Sequence, residues 1–363
     1  MPAGPSTPPG PRRKRDEAMR RHPTRADADV RVALDLAASW YVALPSRDLT
    51  RRPVPLTLFG RKLVAWRAAA GHPVLLPRAC PHMGASLAHG RIVDGLLECP
   101  FHGWRFDDSG ACVQITGSDR IPAAANRQPY PTIERHGYIW VWYGSPEPMF
   151  ALPELPALDS APPYRRLRRA DTTTTSVRRV LENTYGPGCL AGLPGARVER
   201  PLGSRMLTPA DLTSDHGPPI PADACFGAEL RWSRHTAAPR LTSALTGGGT
   251  HEITLRVDGW PAGQRVSVFT DGVAQYRLLL ATTPVAPEHT VRHIAMTVEK
   301  TGRIWTDLPC FLTNLIRMTP ASRRDPSLLR TMQPGDPPGT YADGVRLFRQ
   351  YYQSWVDRVL DDT

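Results

Sequence analysis

Four residues with a taste for soft metals lie in two close pairs: Cys80 with His82, and Cys99 with His102. Sixteen residues separate the pairs. Two thiolates and two imidazoles are the donors of a [2Fe–2S] cluster that carries Cys on one iron and His on the other. Thiolate stabilises ferric iron, and neutral imidazole brings less negative charge, so the His-bearing iron is the easier one to reduce. Such a cluster needs two tight loops that clamp it. Gly84 and Gly103 permit the sharp turns, and Pro81 and Pro100 stiffen them. The rival chemistry is a Cys₂His₂ zinc site, but zinc fingers pair Cys with Cys and His with His along the chain.

The elements that must hold these loops are short strands. Val54–Phe59 and Lys62–Arg67 read as two strands around Gly60-Arg61. Val74-Leu75-Leu76 leads into the first loop and Leu96-Leu97-Glu98 into the second. Asp107-Asp108-Ser109-Gly110 reads as a turn, and Tyr138–Tyr143 as a closing strand rich in aromatics. Together they predict a small antiparallel β domain over 31–145. Residues 1–30, basic and Pro-rich with no apolar pattern, are expected to be a disordered tail. A Pro-rich linker is expected over 146–165.

The remainder, 166–363, mixes signals. Asp171–Thr175 reads as a strand and Val177–Tyr185 as a helix, and 191–222 reads as loop. Alternation around Leu255 and Met296, and the run Gln275–Thr283, predict further strands. The last 40 residues read as helical. Within them Val345, Phe348, Tyr352, Trp355 and Val359 form one apolar stripe at helical spacing, which is a packing face rather than a ligand set. His289 and His293 are read as lying across a turn and a strand start, not on one face.

Composition excludes several classes. With 363 residues the chain can bury two sizeable cores. No apolar run is long enough for a bilayer, and Arg12–Arg15 is not followed by the apolar stretch of an export signal. Beyond the two cluster thiols, Cys112, Cys189, Cys225 and Cys310 are scattered, which fits a reducing cytoplasm better than a disulfide framework. The net charge of +11 is spread along the chain and is not read as a nucleic-acid footprint; a basic face for an acidic electron-donor protein or an acyl-carrier partner is the alternative.

The chain resembles the terminal oxygenase component of the Rieske non-haem iron oxygenases. The resemblance runs through Trp40-Tyr41-Val42-Ala43-Leu44, Cys80-Pro81-His82-Met83-Gly84-Ala85, Cys99-Pro100-Phe101-His102-Gly103-Trp104-Arg105-Phe106 and Gly137–Trp142. It implies an α+β fold: an N-terminal all-β Rieske domain, then a helix-grip-like domain whose antiparallel sheet wraps a long helix around an apolar pocket. It also implies an apolar small-molecule substrate, a ferredoxin or reductase as electron donor where the chemistry is redox, a homotrimer, and work in secondary metabolism.

The family's second site is an Fe(II) held by two His and one Asp, with open positions for O₂. Its helix reads Glu-Asn-x-x-Asp-x-x-His-x-x-x-x-His. Here Glu182 and Asn183 match, but the bridging Asp position is Gly186, the first His is Cys189 and the second is Pro194. No His occurs between His136 and His216, so no shift of register supplies one. Asp325 best matches the third ligand. The expectation is a Rieske cluster without the mononuclear Fe(II). The pocket would then serve a non-oxidative cyclisation or rearrangement, with Glu182, Asn183, Tyr185 and Asp325 as candidate polar groups. The alternatives are an oxygenase with an atypical iron site and an electron-transfer or partner subunit.

Overall fold

The computed structural model describes residues 34–155, 164–185, 198–208, 211, 221–236, 249–299 and 342–359. The tail at 1–30, the positions Gly186, Cys189 and Pro194, and Asp325 lie outside the described residues.

The first half is built from three small sheets. β1 (Ser39–Pro45) pairs with β10 (Tyr138–Tyr143), which pairs with β9 (Thr132–Arg135). β2 (Val54–Leu58), β3 (Arg61–Arg67) and β4 (Pro73–Pro77) form a meander. β5 (Arg91–Val93), β6 (Leu96–Glu98), β7 (Arg105–Phe106) and β8 (Cys112–Gln114) form the third sheet. The expected β2–β3 hairpin turns at Phe59-Gly60, both at positive φ. Every residue of β10 is buried, because it is a central strand with neighbours on both edges and packing on both faces.

The second half is one antiparallel sheet in the order β11-β17-β16-β15-β14-β13-β12. Its strands are β11 (Tyr164–Thr173), β12 (Val198–Leu207), β13 (Phe226–Thr236), β14 (Gly249–Trp260), β15 (Gly263–Thr270), β16 (Val273–Ala286) and β17 (His289–Glu299). Among the described residues two helices lie against it, α1 (Val177–Glu182), continued by a 3₁₀ turn over Asn183–Tyr185, and α2 (Ala342–Val356). The apolar stripe of α2 is buried as expected, from Val345 through Trp355 to Val359 just beyond it.

Two expectations are corrected. The stretch 191–222 contains β12, not only loop. Pro201 is tolerated there because β12 is an edge strand and bulges interrupt its pairing with β13 at Val198/Arg200 and Pro201/Gly203. His289 and His293 both lie in β17, where residues four apart share a face. The strand begins at His289, ahead of the alternation that starts at Ile294, and directly follows Glu288, which takes the positive φ of a tight hairpin.

A single core runs through both halves. Trp140 meets Trp260 at 6.2 Å between ring centroids, and Tyr138 meets His293 at 5.5 Å. Thr283 Oγ1 donates to the Val42 carbonyl at 2.8 Å, and Arg265 Nη1 donates to the Glu154 carbonyl at 2.9 Å. Phe150 and Leu152, inside the stretch expected as linker, are buried in that core.

Candidate functional site

The two loops that carry Cys80 with His82 and Cys99 with His102 have the same backbone form. In the first, which follows β4, the Gly84 N–H donates to the Cys80 carbonyl at 2.9 Å and the Cys80 N–H to the Ala85 carbonyl at 2.9 Å. In the second, between β6 and β7, the Gly103 N–H donates to the Cys99 carbonyl at 3.1 Å and the Cys99 N–H to the Trp104 carbonyl at 2.8 Å. Each turn closes through a glycine at positive φ, 75° at Gly84 and 68° at Gly103. A Cβ at Gly103 would also stand 2.8 Å from Thr116 Oγ1.

Strands and ion pairs hold the loops in place. Glu98, next to Cys99, accepts from Arg91 Nε and from Arg105 Nε, both at 2.7 Å, so one buried carboxylate ties β5, β6 and β7. The arginines hold its carboxyl below the ordinary range. Beneath lies a second apolar core that includes Val64, Trp66, Leu76, Leu97 and Phe106.

The four candidate donors segregate by type. Cys80 and Cys99 are buried, and the thiols lie within hydrogen-bonding reach of each other. Burial, with Cys99 alongside, pushes the Cys80 thiol up to about 11. A metal would therefore have to displace its proton on binding. His82 and His102 are exposed on the same side, with ring centroids 4.6 Å apart. Trp104 stacks on His82 at 4.7 Å and 9°. Two buried sulfurs and two outer imidazoles fit a binuclear cluster that takes two protein ligands per iron. Among the described residues no three His, Cys, Asp or Glu side chains gather around one ion, and a two-plus-two arrangement does not call for it.

The pocket candidates lie on α1 and its 3₁₀ extension. Glu182 is buried and accepts two hydrogen bonds from Arg349 of α2, at 2.7 and 3.1 Å. Tyr185 is buried between Phe226 and Phe348, and its hydroxyl donates to the Phe226 carbonyl at 3.0 Å. Burial raises that phenol well above its ordinary range. Asn183 is half-buried between them. The structure thus brings Glu182, Asn183 and Tyr185 together but commits two of them to packing α1 on α2 and the sheet.

Arg349 escaped the sequence reading. It sits four residues after Val345 and one after Phe348, so the helical stripe itself places it at the edge of the buried face. The sheet face toward α1 is apolar: Val257, Val266, Leu278 and Met296 stand in one cross-strand row. Gln264, fully buried on that face, donates to the Leu181 carbonyl at 3.0 Å.

Comparison with known proteins agrees with this geometry. A family model described as the Rieske [2Fe-2S] domain matches residues 39–125. The chain is 37% identical over 343 residues to aminopyrrolnitrin oxygenase PrnD of Pseudomonas fluorescens, covering 90% of this chain and 93% of that protein. Among solved structures, dicamba monooxygenase bound to dicamba superposes with a TM-score of 0.65 at 17% identity, covering 88% of this chain and 97% of the other. The NdmA QL mutant of Pseudomonas putida CBB5 with caffeine gives 0.68 at 17% identity, covering 92% and 97%.

Proposed function

The chain belongs to the Rieske non-haem iron oxygenase family, and from that premise we propose an enzyme that keeps the family's cluster but not its mononuclear iron. Cys80, His82, Cys99 and His102 hold the [2Fe–2S] cluster. When bound, it supplies one-electron transfer and ties the two loops together.

One observation carries the rest of the reading. No imidazole occurs between His136 and His216, so the residues after α1 offer Gly186, Cys189 and Pro194 where the family places an Asp and two His. Gly and Pro have no side-chain donor, and this set does not fit a two-His, one-carboxylate iron. The pocket then acts on a small, largely apolar substrate by shape, holding two reacting ends together for a cyclisation or rearrangement without oxygen. Positioning of that kind can supply several kcal/mol, up to about 7–11 for ideal geometry. Glu182 and Tyr185 already have protein partners, so among the described candidates Asn183 is the better one for orienting a polar group of the substrate.

A second reading has its own support. Identity of 37% along almost the whole of an oxygenase favours oxygen chemistry with iron held by other ligands, fed by a ferredoxin or reductase. A homotrimer in solution is proposed under either reading.

Iron counting and an anaerobic assay separate the two. The first reading expects two irons and two acid-labile sulfides per chain, with no third iron after ferrous soaking. It also expects product of unchanged mass without O₂ or reductant. A tightly held third iron, with oxygen incorporated only when NAD(P)H and O₂ are present, overturns it in favour of the second.

A further inference from the structure

Trp104 joins the two ligand loops in a way that neither loop achieves alone. Its backbone belongs to the second loop, where its carbonyl accepts from the Cys99 N–H at 2.8 Å. Its ring lies on the first loop, stacked 4.7 Å from the His82 imidazole with only 9° between the planes. The indole also packs against the buried core that contains Cys80, Cys99, Leu97 and Phe106. His82 is otherwise exposed, so this ring is a wall between one of its faces and solvent. Among the described residues the other imidazole has no equivalent stack. Phe101 is tilted 34° against His102, belongs to the same loop, and is 60% exposed.

We propose that Trp104 is a positioning residue for the cluster, fixing the plane of the His82 ring and keeping water from one side of it. The inference rests on the reading that His82 is a ligand. Its electrostatic consequence has a definite sign. Two ferric irons, two sulfides, two thiolates and two neutral imidazoles sum to zero, and one-electron reduction makes the sum negative. Water stabilises the more highly charged state. Admitting water beside His82 therefore favours the reduced cluster and raises its potential. Freeing the ring from its stack also lets His82 leave the iron more readily, so a chelator should strip the cluster faster.

The test uses the full chain with Trp104→Leu and Trp104→Phe. Trp104→Met, whose longer and more flexible side chain adapts better to the space of the indole, serves where the leucine variant does not fold. Measurements are the reduction potential, the spin-resonance g values of the reduced protein, and the rate of cluster loss to a ferrous chelator. Loss of the ring should raise the potential, shift the g values and speed cluster loss several-fold, while Trp104→Phe should restore most of the wild-type behaviour. A ringless variant with wild-type potential, g values and chelation rate would overturn the proposal. A wild-type protein with no cluster, or with one that keeps its g values when His82 is replaced, would overturn the ligand reading and this inference with it.

Discussion

At the residue scale, a few charged groups decide whether the loops and α1 stay where they are. Glu182 is the clearest case: its side chain is 7% exposed and its bidentate partner Arg349 is 26% exposed. Taking a carboxylate out of water is costly, and its partner offsets that cost only while both are present. Arg349→Met should therefore destabilise the protein by about 3 kcal/mol in urea unfolding, and the double variant with Glu182→Gln by clearly less. Equal losses in the single and double variants would mean that the pair is not coupled. Gly103 is a second such point. Alanine there faces both positive φ and the Thr116 hydroxyl, so Gly103→Ala should cost about 1–3 kcal/mol and lower the iron content of purified protein. Full iron loading at unchanged stability would contradict this.

At the scale of elements, β17 carries an acid sensitivity. His293 is 6% exposed, wedged between the sheet and Tyr138 of β10, with Asp171 on β11 the charged group that favours its protonation. Burial outweighs that carboxylate and depresses the imidazole to about 4, against 6.5 in the open chain. Between these values the unfolded state binds more protons, so this contribution to stability is present above about pH 6.5 and lost as pH falls toward 4. The loss amounts to about 3 kcal/mol at the acid end. Replacing His293 with Leu should flatten the stability profile across that window. A variant whose acid slope matches wild type would place the sensitivity elsewhere.

At the scale of the whole molecule, the contacts argue for one cooperative unit above a smaller one. Trp140, Trp142, Trp260 and Trp355 are all fully buried in a core that includes β1, β10, the second sheet and α2. Tryptophan fluorescence and far-ultraviolet circular dichroism should therefore melt together. Trp140→Ala, at the junction, should cost about 3–5 kcal/mol and lower both midpoints alike. Two separate fluorescence transitions would show that the halves unfold independently. The apolar core beneath the cluster is distinct, so bleaching of the cluster can precede this transition.

The ligand set proposed for the cluster and most of the strands were legible in the sequence by itself, because those signals are local. Cys-x-His and Cys-x-x-His each fix two donors within one turn, and the β2–β3 hairpin follows from alternation around Gly60-Arg61. The stripe on α2 is likewise written in its own spacing. What lay beyond reach depends on residues far apart in the chain. Nothing near Val198 announces a strand, since β12 exists only because β13 offers an edge, and its proline is harmless only at that edge. The roles of Glu182 and Tyr185 turned on the same point: as residue types they suit a pocket, and only the packing of α1 against α2 shows that Arg349 and the Phe226 carbonyl already hold them. Trp104 is plain as a letter in the second loop, but its ring finds His82 only after two loops about twenty residues apart are folded onto each other.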